Sequence, residues 1–352
     1  MSQEIFDKRN FLFFINEVHP LNNVNSLSGA LASPSSWEDV AKRVNTARQK
    51  DVFVRSIHRV QLYVHVPFCS RLCTFCYCHP VLLQKRSVVD GYIKALTRQM
   101  MVFSSVYKGM DAASICFGGG TPSILNEQQL TDILDGADKA FPIQNRKILF
   151  EANPSSWTTS KLALLSSRGL YRLSFGVQSL DENVLKLVSR SQTRQKVLWC
   201  LRSARKAGIP QVNVDFIAGL PGQTVKGIIK DLNVVIEEGV NIVSIESFNT
   251  LSLAKLCGPG ETVFTFFKRR DALIKAAEKT LLEAGFHRQG LLGIYTRSGV
   301  TDENHHEEAY SRLEEAVAGF GPFARGQFPG AVYYRAGALS STGDVEAVDA
   351  YA

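Results

Sequence analysis

Tyr63-Val-His-Val-Pro-Phe-Cys-Ser-Arg-Leu-Cys-Thr-Phe-Cys-Tyr-Cys-His-Pro80 is a strand-like alternation that runs directly into four cysteines. Cys69, Cys73 and Cys76 stand in the spacing C-x3-C-x2-C. Thiolates are soft, charged ligands that suit iron–sulfur clusters. Three of them at this spacing can hold three corners of a four-iron cluster and leave the fourth iron without a protein ligand. An open iron is a place where a substrate or cofactor binds, so the spacing points to chemistry as well as to structure. The competing reading is a zinc site made of Cys69, Cys73, Cys76 and Cys78. Structural zinc favours two separated pairs of ligands, and one tight run of sulfurs fits that poorly.

Outward from this stretch the chain alternates between two periods. Residues 60–66 read as a strand. Ser87, with Asp90 three residues on, reads as a helix N-cap, and Val89, Tyr92, Ile93, Leu96 and Met100 then recur at helical spacing. Further strands are expected at 113–117, 147–152, 171–177, 212–218 and 242–248, with a glycine turn and a helix near 127–140. Strands that alternate with helices make βα units and a parallel sheet. About six such units fit between residues 60 and 285.

A parallel strand covered on both faces is almost wholly apolar. Here each strand carries polar groups on one side: Tyr63 and His65, Glu151 and Asn153, Arg172, Ser174 and Gln178, Asn213 and Asp215. Strict alternation places each set on a single face. A barrel interior would gather them at the C-terminal strand ends, where barrel enzymes keep their sites. Buried carboxylates at Glu151 and Asp215 need partners, either ligand hydroxyl and ammonium groups or local arginines. Ordinary buried hydrogen-bond networks are the alternative.

The chain has 352 residues, enough for one large domain or two smaller ones. No apolar run approaches a membrane span. The first ten residues mix charges, which suits neither a secretory signal nor a transit peptide. An odd count of seven cysteines, four of them crowded together, argues for reduced thiols in a cytoplasm. Cys116, Cys200 and Cys257 sit singly and read as packing residues. The net charge of +7 is scattered and carries no nucleic-acid signature, so no nucleic acid is expected.

Phe117-Gly-Gly-Gly-Thr-Pro122 follows a strand, and its glycines let backbone amides approach a ligand. With the cysteine run this resembles the radical S-adenosylmethionine superfamily. In that superfamily the open iron chelates S-adenosylmethionine, and one electron from the cluster releases a 5′-deoxyadenosyl radical. Arg172-Leu-Ser-Phe-Gly-Val-Gln178, Ser189-Arg-Ser-Gln192, Val214-Asp-Phe-Ile-Ala-Gly-Leu-Pro-Gly-Gln223 and Gly319-Phe-Gly-Pro-Phe-Ala324 narrow the resemblance. Together with the two earlier stretches they are similar to the oxygen-independent coproporphyrinogen III oxidase family and its haem-chaperone and radical-methyltransferase relatives.

The resemblance implies a fold, a site and partners. The fold is a partial (β/α)6 TIM-like barrel, with an N-terminal extension over 1–56, a core over 57–255 and a C-terminal elaboration over 256–352. Cys69, Cys73 and Cys76 match the ligands of a [4Fe-4S] cluster. Tyr63, Phe75, Gly119 and Glu151 match contacts of a first S-adenosylmethionine. Gly120, Thr121, Gln178, Arg190 and Asp215 match contacts to one or two molecules of it. Tyr63, Glu151 and Asp215 are the candidate catalytic residues. Arg190 suits a bidentate grip on a cofactor carboxylate; without the family match it would read as a helix-surface arginine. The implied partners are a small-molecule substrate and a flavodoxin- or ferredoxin-type electron donor, with the chain a monomer.

The segments that flank the core differ from those of the oxidase, which tilts the expectation toward radical methyl transfer with two S-adenosylmethionine molecules. Oxidative decarboxylation of a porphyrinogen and haem chaperoning are the alternatives. Cys78 favours the oxidase branch, because it matches that branch's Cys-x-Cys ending. His305 and His306 could ligate haem, but they stand among Asp302, Glu303, Glu307 and Glu308 and read as surface residues.

Overall fold

A computed structural model of the chain describes residues 58–76, 78, 80–83, 85–141, 147–248, 261–290, 293–302, 316–322, 324–328 and 331–334. The expected N-terminal extension, Cys257, His305 and His306 lie outside them. Six strands follow the expected order: β1 Arg59–Val66, β2 Asp111–Gly119, β3 Lys147–Ala152, β4 Leu170–Gln178, β5 Gln211–Ala218 and β6 Ile242–Ser247. All are parallel neighbours in that order. Helices α1 Ser87–Ser104, α2 Glu127–Ala140, α3 Thr159–Ser167, α4 Glu182–Leu187, α5 Arg194–Lys206 and α6 Val225–Glu237 fill the crossovers, and α7 Val263–Glu283 follows β6.

The helix starts are written locally. Asn126 caps α2 by accepting from Gln129 N at 2.8 Å, and its own N–H donates to Gln129 Oε1 at 3.0 Å. Thr158, Asp181, Thr193 and Thr224 cap α3 to α6 with side-chain oxygens, satisfying backbone donors that the first turn leaves open. At α1 the expected cap fails. Ser87 is already helical, and Arg86 before it is in the α region without a side-chain cap bond. Main-chain carbonyls do the work instead, since Val88 N and Val89 N donate to Lys85 O and Arg86 O. Asp90 accepts from Gln129 Nε2 of α2 at 2.9 Å, a contact between helices.

The sheet has a wet face and a dry one. Val60, Leu62, Val64 and Val66 of β1 share the main apolar core with Phe117, Phe150, Phe175 and Phe216 of the later strands and with the helices. Phe150 and Phe175 flank Trp157, with ring centroids 5.7 and 5.8 Å away. The opposite face carries Gln61, Tyr63, His65, Ser114, Arg172, Ser174, Gln211, Asn213 and Ser244, all buried.

The C-terminal part enters the same sheet. β9 Ala316–Phe320 pairs in parallel with β1, a seventh parallel strand beyond the six expected. β10 Arg325–Phe328 and β11 Ala331–Tyr334 extend that edge antiparallel, while β7 Phe286–Gln289 and β8 Ile294–Arg297 extend the other. Among the described residues the two edges do not pair, so the barrel is open. Asp302 reaches into the interior and takes the Arg172 guanidinium at 2.5 and 3.1 Å, with both side chains almost wholly buried. In the sequence Asp302 stands among acidic residues beside His305 and His306. Its partner lies 130 residues away, so no local pattern reveals it.

Removing one member of a buried pair strands the other charge, at a typical cost of about 3–5 kcal/mol. Asp302→Ala is expected to lose that much in urea unfolding, while the double variant Arg172→Met/Asp302→Leu recovers most of it. Equal losses in both would contradict the pairing.

Candidate functional site

The expected residues meet at the C-terminal ends of the strands. Tyr63 lies at the inner face of β1, and its hydroxyl is 3.1 Å from His65 Nδ1. Glu151 and Tyr63 lean over the glycine turn from either side: a Cβ on Gly118 would lie 3.0 Å from each of them. Gly119 has φ +104°, and a Cβ there would meet the His65 ring at 2.8 Å. Gly120 passes the Pro67 carbonyl so closely that a Cβ would sit 2.7 Å from its oxygen. The turn is therefore a backbone-lined cradle pressed between β1 and the cysteine loop.

The cysteine loop is held by the main chain. Phe68–Cys69 pairs in parallel with Val81–Leu82, Leu83 N donates to Cys69 O at 2.9 Å, and Thr74 N donates to Val188 O at 3.3 Å. Phe75 packs against an apolar cluster of Val184, Val188, Ile217, Leu220, Phe248 and Phe266. Thr121 turns its hydroxyl to Cys69 Sγ at 3.1 Å, so it meets a candidate ligand directly.

Arg190 is no helix-surface residue. It follows α4, where its guanidinium bonds Gly176 O, donates to Gln192 Oε1 at 2.6 Å and reaches Cys73 Sγ at 3.7 Å. Gln192 in turn donates to Val177 O at 2.5 Å. The Ser189-Arg-Ser-Gln192 motif thus ties the end of β4 to the cysteine loop and sets a cation beside the sulfurs.

Burial raises the Cys69 thiol above its ordinary value; the Thr121 hydrogen bond opposes this, Cys76 and Cys73 add to it, and Arg190 opposes it. The sulfurs of Cys69, Cys73 and Cys76 therefore share one electrostatic neighbourhood. The hydrogen bond between Cys78 and Cys76 holds Cys76 low and Cys78 high, with burial adding to the rise at Cys78. The charges of Cys76, Glu151 and Glu246 act on Cys78 in the same direction, which sets it on the acidic side of the mouth.

Asp215 sits in a built network. Ser174 Oγ donates to its Oδ2 at 2.8 Å and Asn213 Nδ2 to its Oδ1 at 2.5 Å, while Ser244 Oγ donates to Asn213 Oδ1 at 3.2 Å. Burial pushes its carboxyl up, and the Arg172 charge and these hydrogen bonds pull it back. Its expected partner set is thus met by local groups. Gln178 is the opposite case. It has φ +67°, and its buried Oε1 has no hydrogen-bond partner. A buried acceptor left open at a strand end is a place for a ligand donor. The Tyr63–His65 contact was not anticipated as a unit. Two polar residues two apart on a strand share a face, and that was the available signal.

An open parallel barrel with a cysteine loop and a glycine cradle at its mouth is the arrangement expected of a radical S-adenosylmethionine protein. The radical SAM superfamily model matches residues 63–235. The chain is 30% identical over 253 residues to oxygen-independent coproporphyrinogen III oxidase of Salmonella typhimurium, covering 72% of this chain and 52% of the relative. It is 33% identical over 166 residues to the oxidase of the same name from Escherichia coli, covering 47% and 36%. It is 31% identical over 187 residues to heme chaperone HemW of Bacillus subtilis, covering 53% and 49%. The chain thus spans about half the length, or less, of these relatives. The solved structure of Escherichia coli coproporphyrinogen III oxidase (HemN), a radical SAM enzyme, matches with a TM-score of 0.72 at 23% identity. That match covers 80% of this chain and 69% of that one, and it shows the shared fold. The family-model match and these relatives together support a radical SAM protein similar to the oxygen-independent coproporphyrinogen III oxidase family.

The superfamily's cofactors are a [4Fe-4S] cluster and S-adenosylmethionine. The residues present fit them. Among the described residues no three candidate ligands close on a single ion. The cluster asks for something else, three thiolates on three separate irons, and here three thiols share one cation. The glycine cradle and the open Gln178 acceptor lie beside them.

Two outcomes follow for single substitutions. Gly119→Ala forces a side chain into positive φ and onto the His65 ring, at a cost of about 1–3 kcal/mol; urea unfolding should register it, along with weaker S-adenosylmethionine binding. Asp215 has a folded pKa above its unfolded value of about 3.9. As pH rises past that value the unfolded chain releases the proton first, so the wild type loses stability. Asp215→Asn should therefore gain on the wild type as pH rises above about 4, while binding cofactor less well. A stability difference that is flat or reversed over that range would refute the assignment.

Proposed function

We propose that this chain is a radical S-adenosylmethionine enzyme that abstracts hydrogen from a small-molecule substrate at the barrel mouth. One observation carries the reading: the thiols of Cys69, Cys73 and Cys76 share the neighbourhood of Arg190, at the same strand ends as Gly119, Glu151 and Gln178. In this reading the three cysteines hold the cluster. When bound, cluster and cofactor supply a 5′-deoxyadenosyl radical from one electron and S-adenosylmethionine.

The chain's own residues bind and orient. The Gly118–Gly120 backbone and Tyr63 line the first cofactor's position, and Phe75 closes one side with its apolar packing. Glu151 offers a carboxylate to an ammonium or hydroxyl group. Gln178 lends its open acceptor, while Asp215, held by Ser174 and Asn213, closes the interior below it. Arg190 offsets negative charge at the sulfurs while its other donors stay on protein groups.

Relatives that carry the oxidase name favour hydrogen abstraction over the methyl transfer toward which the sequence tilts, and the haem-chaperone relative keeps the chaperone as an alternative. Anaerobic reconstitution, then dithionite reduction with S-adenosylmethionine, separates the readings. 5′-Deoxyadenosine without S-adenosylhomocysteine supports abstraction, and both products together support methyl transfer. Neither product, with a Soret band on adding haem, supports the chaperone. Cys73→Ala should lose the cluster's iron and all cofactor cleavage; full iron and full cleavage in that variant would sink the reading.

A further inference from the structure

Lys161 sits where its own helix gains nothing from a cation. It is the third residue of α3, and its N–H donates to the capping Thr158 hydroxyl at 3.2 Å. A cation in the first turn faces the positive end of the helix dipole. Lys161 is also only 7% exposed. Burial lowers its pKa; Glu127 opposes this, and Arg86 and Lys196 add to it. It forms no ion pair with a described residue. Glu127, the acid whose charge reaches it, accepts from the Ser160 and Thr158 hydroxyls instead. With Arg86 it lines a cavity of about 440 Å³ whose other residues, Ser70, Leu83, Ile124 and Ser156, include no acid. A cation buried in this way needs acceptors close by.

Its acceptors are main-chain carbonyls of two different turns. The ammonium donates to Ser123 O at 2.7 Å and to Ser156 O at 2.9 Å. Ser123 belongs to the tight turn Pro122–Ile124 after β2, and Ser156 to the turn Pro154–Ser156 after β3. Arg86 takes the next carbonyl of the first turn, Ile124 O, at 3.2 Å. The turns also touch directly. Ser123 Oγ and Ser156 Oγ are 2.7 Å apart, and Asn153 N donates to Ser123 Oγ at 2.9 Å. These links begin where strand pairing stops, because the β2–β3 ladder ends at Phe117 and Phe150. Beyond that pair lie Gly118, Gly119 and Gly120 on one chain segment and Glu151 on the other. The two sides are close: a Cβ on Gly118 would lie 3.0 Å from Glu151 Oε2.

We propose that Lys161 is a positioning residue for S-adenosylmethionine: its ammonium locks the turn after β2 to the turn after β3, and so sets the reach between the glycine cradle and the Glu151 carboxylate. The inference rests on the function proposed above, which puts the cofactor at those strand ends. An ammonium suits the task because three donors on one nitrogen meet carbonyls that arrive from different directions. Lys161 acts through the segments it holds, Gly118–Thr121 and Glu151–Asn153. A misplacement of about 1 Å at a binding site can cost about a hundredfold. The loss on removing Lys161 therefore falls on cofactor affinity, separately from any loss of stability.

The test compares the reconstituted wild type with Lys161→Met, Ser123→Ala and Leu165→Ala. Leu165 is buried in the apolar core on the same helix and controls for lost stability. Four quantities are read under anaerobic conditions: iron per chain, the S-adenosylmethionine dissociation constant by equilibrium dialysis, KM and kcat for dithionite-driven cleavage, and the urea midpoint. Lys161→Met should keep the wild-type iron content and raise the dissociation constant and KM by about tenfold or more, with kcat changed much less. Ser123→Ala keeps the carbonyl and cuts the hydroxyl links, and it should raise both constants by a smaller factor. Leu165→Ala should lower the urea midpoint and bind cofactor as the wild type does. A Lys161→Met protein that loses stability but keeps wild-type affinity overturns the proposal. An equal affinity loss in Leu165→Ala also overturns it, because general loosening would then suffice. Where Lys161→Met does not fold, unchanged affinity in Ser123→Ala overturns it. A wild type that binds S-adenosylmethionine and cleaves none defeats the functional reading instead, and the dissociation constants still decide the role of Lys161.

Discussion

Period-two alternation along a parallel strand is the constraint on which the rest depends. The strands of this barrel commit one face to the helices and the other to the interior, and the two faces obey opposite rules. Outside, Leu62, Phe117, Phe150 and Phe175 remove apolar area from water, each worth roughly 1.5–3 kcal/mol when buried. Inside, Arg172, Ser174, Asn213 and Asp215 stabilise the fold only if each finds a partner. Arg172 finds Asp302, and Asp215 finds Ser174 and Asn213. The lower interior is thereby closed by its own residues. At the strand ends Gln178 keeps an acceptor open, and there the polar face becomes available to a ligand.

Signals confined to a few neighbouring residues were legible in the sequence. The helix expected near 127–140 and the alternation of 147–152 mark elements whose bounds are found as expected, Glu127–Ala140 and Lys147–Ala152. The cysteine spacing and the glycine run were readable for the same reason. What was lost depended on distant partners. Ser87 carries the composition of a cap, yet the preceding turn satisfies those amides through carbonyls. Asp302 looks like part of an acidic stretch, and only the folded barrel brings it to Arg172. Strand β9 is short, and its place beside β1 is set by topology rather than by its own pattern. Arg190 shows the limit of composition, since a motif match found it where periodicity would have put it on a surface.

Collecting thiolates in one place has an electrostatic cost. Two unit charges about 4 Å apart repel by about 4 kcal/mol at an effective dielectric of 20. Burial raises the Cys69 thiol, and the charges of Cys73 and Cys76 raise it further. The loop therefore cannot gather three anionic sulfurs without positive charge at hand. Arg190 supplies one such charge, fixed by Gly176 and Gln192 so that it stays at the sulfurs instead of turning to solvent. In the proposed holoenzyme the irons supply the rest.

The same loop divides its labour by face. Its sulfurs gather near Arg190, while Arg71, Lys85 and Arg86 stand on the solvent side. The parallel pairing of Phe68–Cys69 with Val81–Leu82 makes this division possible, because it carries both flanking segments out of the fold in one direction. An antiparallel hairpin would send the two flanks to opposite ends and spread the cations apart. The shortest covalent path from Cys69 to solvent is Ser70, the residue that lines the cationic cavity. Burial of Cys69 and exposure of the cations that flank it then follow from one local geometry.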